Sequence, residues 1–135
     1  MNITERVKLL GLPLGQYVVV ASGILEALGI RKASDADIAV LPELYAKLKA
    51  TGEWDEFVEY GKTFLQKENT TIIPSLEWDK FPITAEQAIN SATIIDGVPF
   101  MNLDMLRQFK LALGREKDFA DIKLIDQYSE NNLNK

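Results

Sequence analysis

At 135 residues, with 47% hydrophobic and 26% charged side chains, the chain has the size and composition of one globular domain, sufficient for a single core and too short for two. It contains no cysteine and no histidine, which excludes disulfides, zinc held by its usual ligands, thiol nucleophiles and imidazole bases; chemistry falls to carboxylates, hydroxyls, Lys and Arg, assisted by a hard cation. The net charge of −5 argues against a general nucleic-acid coat, since phosphate backbones need a positive footprint, and leaves room only for a local basic patch.

Met1 to Leu10 sets Glu5, Arg6 and Lys8 among apolar neighbours and lacks the apolar region and small-residue cleavage site of a secretory signal. The longest apolar run, Tyr17 to Ala21, falls far short of the ~20 residues that cross a bilayer. A cytoplasmic location with no membrane partner is expected.

The run Gln16 to Ala21 is β-branched and aromatic through Tyr17, Val18, Val19 and Val20, and Gly11, Pro13 and Gly15 bound it upstream, so it predicts a buried strand. Ser22 is a good N-cap for Ile24, Leu25 and Leu28 at helical spacing up to Gly29, which predicts a short helix directly after a tight turn. A polar stretch, Arg31 to Ser34, leads into Asp35-Ala36-Asp37-Ile38-Ala39-Val40, whose alternation predicts a second strand with Ala36, Ile38 and Val40 facing the core. Pro42 suits the first turn of a helix to Ala50, ended by Gly52.

Phe57 to Pro74 reads as hairpin strands whose apolar set is Phe57, Val58, Tyr60, Phe64, Leu65, Ile72 and Ile73. Thr84 with Gln87 forms a capping box for a helix to about Ala92, followed by a short extended segment through Ile94 and Ile95 with a turn at Asp96-Gly97. Two helices close the chain, Asn102 to Leu113 stopped by Gly114, and Lys117 to Tyr128, leaving Ser129 to Lys135 as a polar, frayed tail. Trp54 and Trp78 are expected in the core or against the sheet edge.

Residues two apart on a strand share a face, so Asp35 and Asp37 project together while their apolar neighbours fill the core. Such carboxylates repel each other, and Mg²⁺, which takes one or two carboxylates plus substrate phosphates, relieves that repulsion. Ser22-Gly23, where a strand turns into a helix, offers backbone N–H groups to a phosphate, and Gly23 permits close approach.

Ser22-Gly23, then eleven residues, then Asp35-Ala36-Asp37 resembles the signature of the minimal nucleotidyltransferase superfamily, above all its AbiEii/MNT toxin-like branch of small bacterial proteins. Gly29-Ile30-Arg31 agrees with that branch's Gly-x-Arg. Lys110 followed by Arg115-Glu116-Lys117-Asp118-Phe119-Ala120-Asp121-Ile122 resembles its late Lys…Arg-x-Lys-Asp-x-x-Asp-Ile block. The resemblance implies a single α/β (α+β) domain over residues 1–135, a mixed sheet flanked by helices with the C-terminal helices packed on it. It also implies Mg²⁺ (or Mn²⁺) held by Asp35 and Asp37 as catalytic and metal-binding residues. By the same resemblance Ser22, Gly23, Arg31, Lys110 and Lys117 would be the nucleotide-binding residues, and the reaction would be transfer of a nucleoside monophosphate from an NTP to a protein or tRNA hydroxyl. The chain departs from the pattern in one place: the third carboxylate of active members falls by order at Thr71, and Glu77 or Asp79 could substitute, although neither sits at the expected position. That departure opens an alternative, a non-catalytic nucleotide-binding or interaction module in a toxin–antitoxin or defence pair.

Each candidate also has a plainer role. Asp35 and Asp37 can be solvated residues at a strand start, Ser22 only a helix cap, and Gly23 only a turn former. Lys110 can be an exposed helix lysine, Lys117 the i,i+4 partner of Asp121, and Asp118 a complement to a helix dipole.

Overall fold

Ile3–Leu9 forms α1, a helix absent from the sequence expectations, at the start of the computed structural model, which describes residues 1–133. The Asn2 side chain accepts from the Glu5 amide while Glu5 reaches back to the Asn2 amide, a reciprocal capping box that satisfies two otherwise orphaned donors. Ile3, Thr4 and Val7 turn inward, and Glu5 and Lys8 stay on the exposed side. The charges between apolar residues in this segment are therefore the outer face of an amphipathic turn.

The chain continues through β1 (Tyr17–Val20), α2 (Gly23–Ala27), β2 (Ala36–Val40) and α3 (Pro42–Ala50). Three strands follow, β3 (Asp55–Glu59), β4 (Lys62–Lys67) and β5 (Thr70–Ile73), then α4 (Ala85–Asn90), β6 (Thr93–Ile95) and β7 (Val98–Phe100). Two helices, α5 (Leu103–Leu113) and α6 (Glu116–Leu133), pack against each other at the end. The seven strands form one sheet in the order β3-β4-β5-β2-β1-β7-β6. It is mixed, with β2–β5 and β1–β7 parallel and the other neighbours antiparallel. The fold is accordingly α/β (α+β), as the sequence implies.

Apart from Asp37, the central strands β1 and β2 are apolar on both faces, as expected of strands covered on both sides. All four residues of β1 are buried, and in β2 Ala39 is buried as well as the expected Ala36, Ile38 and Val40. At one edge β3 exposes Asp55, Glu56 and Glu59, charges that discourage pairing with another chain.

Three sequence expectations need correction. Phe57 to Pro74 is a meander of three strands, and Tyr60-Gly61, with φ of +54° and +71°, is a two-residue turn of the primed type that matches the twist of a hairpin. Tyr60 is thus 82% exposed and leaves the apolar set, as does Val58 on the edge strand, while Phe57 stacks on Phe64 at 5.2 Å between centroids. The expected frayed tail is helical from Ser129 to Leu133, because extending an existing helix adds a hydrogen bond per residue without a new nucleus; residues 134–135 of that tail lie outside the described residues.

Three other local signals are realised. Thr84 and Gln87 make the capping box of α4, Asp96-Gly97 turns with φ of +51° and +80°, and Gly114 ends α5 in the left-handed region at +64°. Trp54 is buried with Lys67 Nζ above its ring, and Trp78 packs with Phe81 and Phe109, so both tryptophans are structural.

Candidate functional site

Asp37 lies in β2 between Val20 of β1 and Thr71 of β5, its register partners on either side. Asp35, expected as the first residue of this strand, lies instead in a bend just ahead of it, and its charge acts on Asp37. Both line a cavity of about 470 Å³ together with Ser22, Arg31, Lys110 and Lys117. Segments distant in the chain, the turn after β1, the loop before β2, and α5 with α6, therefore converge on one pocket, and six of the sequence candidates meet there.

Gly23 and Glu77 do not. Gly23 turns toward the sheet: a Cβ at that position would stand 2.5 Å from Val19 Cγ1 with the Phe100 ring behind it. A glycine is required so that α2 can sit against β1 and β7, and close packing replaces the close ligand approach expected for it. Glu77 is exposed and outside the lining, where its carbonyl accepts from Lys62.

Ser22 occupies the N-cap position of α2 without capping it. Its backbone, at φ −84° and ψ 1°, is outside the extended region from which a serine reaches the first-turn amides. Its Oγ instead accepts from Arg31 Nη2 at 2.8 Å and Lys110 Nζ at 3.2 Å. With both lone pairs engaged, the hydroxyl proton is left free to donate.

Lys110 is only 4% exposed, contrary to the exposed-lysine reading. Its ammonium lies 2.8 Å from Asp121 Oδ2 and 3.6 Å from Asp118 Oδ1. Arg31 binds Asp121 through two bonds of 2.7 Å, and Arg115 grips Asp118 with its side chain while its backbone N–H also donates to that carboxylate. Burial alone would push the Asp121 carboxyl up, but the hydrogen bonds from Arg31 and Lys110 outweigh it and hold the group at about 2; Asp118 is lowered in the same way by Arg115 and Lys110. Asp121 is thereby committed to Arg31 and Lys110, and the expected Lys117–Asp121 pair does not form; among the described residues Lys117 has no ion-pair partner.

The roles of Asp118 and Asp121 as buried anchors are missed by the sequence analysis, although a signal exists. Asp118, Asp121, Ile122 and Ile125 follow the i, i+3, i+4, i+7 spacing of an inner helix stripe, and all four are buried. Lys110 likewise falls four residues after the buried Leu106 on α5. Acids and a lysine on apolar stripes must find each other, since unpaired buried charge is costly.

The cavity lining carries Arg31, Lys110, Arg115 and Lys117 against Asp35, Asp37, Asp118 and Asp121, four cations to four carboxylates. The ion pairs of the site go to Asp118 and Asp121, and among the described residues neither Asp35 nor Asp37 takes part in one. Burial, and then the adjacent Asp35 charge, push the Asp37 carboxyl up to about 6, with Lys110 and Lys117 offsetting part of the rise. Asp35 and Asp37, without an ion-pair partner among the described residues, are thus the acids that the cations of the pocket compensate least.

Comparison with family models, curated proteins and solved structures gives no match. The functional reading of the pocket therefore rests on its own residues. Among the described residues no helix is long and apolar enough to cross a membrane.

The donor set suits a small hard cation. Mg²⁺ takes one or two carboxylates and keeps oxygen ligands from water or phosphate, and a divalent charge would remove both the repulsion between Asp35 and Asp37 and the cost of burying Asp37. Among the described residues no group of three or more acidic, His or Cys side chains assembles, so the protein's share of such a site is the two aspartates. At the register position beside Asp37 the chain supplies the Thr71 hydroxyl in place of an acid.

Proposed function

We propose that this protein binds a nucleoside triphosphate with Mg²⁺ (or Mn²⁺) at the Asp35/Asp37 pair and transfers the nucleoside monophosphate to a hydroxyl of a protein or RNA, in the manner of the nucleotidyltransferases it resembles. The observation that carries the reading is the meeting of Asp35, Asp37, Ser22, Arg31, Lys110 and Lys117 around one cavity. An acid pair outside the ion pairs of the site, among the described residues, stands beside hydrogen-bond donors and cations, the combination required by a triphosphate that arrives with its metal.

In this reading the new bond joins the acceptor oxygen to the α-phosphorus, the acceptor's hydroxyl proton passes to solvent, the bond from that phosphorus to the bridging oxygen breaks, and pyrophosphate leaves. When bound, the metal neutralises charge on the phosphates. The chain's own groups position them: Ser22 donates its free proton to a phosphate oxygen, and Lys117, outside the ion pairs among the described residues, meets the departing charge. Lys110 and Arg31 act on Ser22, holding it in the donor orientation, because their own protons are committed to Asp121 and to the serine.

Isothermal titration of ATP, CTP, GTP and UTP with Mg²⁺ tests the site, beside a protein carrying Asp35→Asn and Asp37→Asn together. Binding by the wild type and its loss in the double variant support the reading; no binding, or equal binding, rejects it. A second reading, a non-catalytic nucleotide-binding or interaction module of a toxin–antitoxin or defence pair, is favoured by Thr71 at the register position where active relatives carry an acid. Label passing from α-labelled NTP to lysate macromolecules, dependent on Asp37, decides for transfer over that module.

A further inference from the structure

Asp35 stands ahead of β2, outside the ladder that fixes Asp37, yet the backbone around it is tied down on every side. The Ala33 N–H donates to Glu26 Oε1 at 3.0 Å, and the other Glu26 oxygen accepts from the Ile3 amide, the first of α1. Arg6, also on α1, donates from Nη1 to the Ser34 carbonyl at 3.2 Å. On the far side of Asp35 the Ala36 N–H donates to the Asn69 carbonyl at 2.8 Å.

Glu26 belongs to α2, which packs on β1, so a single carboxylate joins the start of α1, the sheet and the segment carrying Asp35. In doing so it satisfies one of the orphan amides of a helix start. Residues 33 and 34 lie outside regular structure, where backbone is otherwise free to shift. Asp37 needs no such help, because β1 and β5 hold it from both sides.

We infer that α1 is a clamp for the acid pair: Glu26 and Arg6 are positioning residues that set Asp35 relative to Asp37 and thereby set the divalent-cation affinity of the site. The inference rests on the metal reading above and extends it to residues that touch neither ion nor nucleotide. Cations such as Mg²⁺ tolerate little departure from ideal ligand geometry, and loss of a contact supporting a ligand lowers metal affinity by about 10–100-fold.

The test uses the full chain as wild type, Glu26→Gln and Arg6→Met. Mn²⁺ affinity is read from the paramagnetic resonance of the free ion, and amide hydrogen exchange is followed at residues 33–36, in β1 and in β5. Expected is a fall in Mn²⁺ affinity of about tenfold or more in each variant, with faster exchange at Ala33 and retained protection in β1 and β5. Wild-type affinity in both variants overturns the clamp. Absence of Mn²⁺ binding by the wild type removes the metal reading itself, and exchange then judges the positioning: a faster Ala33 amide in Glu26→Gln upholds it, an unchanged one ends it. If Glu26→Gln loses protection throughout, Arg6→Met decides, since it leaves the Glu26 bonds intact and removes only the tie to Ser34.

Discussion

Asp37 and Thr71 face each other across the parallel pairing of β2 and β5, a half-buried acid beside a hydroxyl on the same side of the sheet. Thr71 itself is outside the cavity lining, which Asp37 joins. A third acid could reach the Asp35/Asp37 pair from that strand position, and the chain places threonine there.

Thr71→Asp should therefore complete a triad. Like charges on directly paired residues repel, so the variant should unfold at lower temperature than the wild type in chelator. Mn²⁺ affinity should rise by about tenfold or more as a ligand is added. Calorimetry with and without Mn²⁺ checks both, and a variant destabilised to the same extent in metal and in chelator would refute the shared pocket.

Asp37→Asn should stabilise the metal-free protein at neutral pH. Because the folded carboxyl is raised to about 6 from an ordinary value of 3.8, its protonated form favours folding. That contribution is complete below about pH 4 and disappears as pH rises through about 6. Above that range the wild type carries a penalty of about 1–3 kcal/mol that asparagine does not have, so the variant should melt several degrees higher at pH 7.5 and equally with wild type near pH 3.5. Melting curves in chelator across that span measure it; equal melting at both ends would show that Asp37 is not electrostatically strained.

Asp121 works in the opposite direction. Its folded carboxyl is held at about 2, so the stability it contributes is complete above about pH 4 and is lost as pH falls toward 2. The amount is about 2 kcal/mol, and Asp118 adds to it with the same sign. Asp121→Asn should cost about 3–5 kcal/mol at pH 7, where Lys110 and Arg31 lose their charged partner. In urea titrations the gap between variant and wild type should narrow toward pH 2.5, and a gap independent of pH would contradict the ion-pair account.

Gly23→Ala separates packing from binding. The added methyl meets Val19 Cγ1, which stands behind it in a central strand and cannot move freely. Such overpacking costs about 1–3 kcal/mol, with a melting point several degrees lower. Mn²⁺ binding by the folded variant should match wild type; a selective loss of metal or nucleotide affinity at unchanged stability would return Gly23 to the pocket.

Much of this protein is local and hence legible without its fold. Alternation marked Ala36, Ile38 and Val40 as the inward set of β2, because side-chain direction repeats every two residues whatever the strand pairs with; Asp35 falls just outside the strand and reaches the cavity from a bend. The Thr84/Gln87 box, the Asp96-Gly97 turn and the Gly114 stop depend on neighbours within a few positions. The same holds for the Asn2/Glu5 box that starts α1, a local signal the sequence analysis overlooks.

What only the tertiary structure decided is which distant groups meet. The side chain beside Asp37 follows from the parallel register of β2 with β5, and that register is set by intervening elements and not by either strand's composition. Lys110 looks like a surface residue by type, yet two carboxylates one helix away and a serine in the turn after β1 make its burial tolerable. Gly23 reads as a ligand-facing glycine until Val19 is found where its side chain would be. Periodicity is a property of the backbone nearby, whereas charge compensation and steric exclusion depend on which atoms the fold brings within a few ångströms.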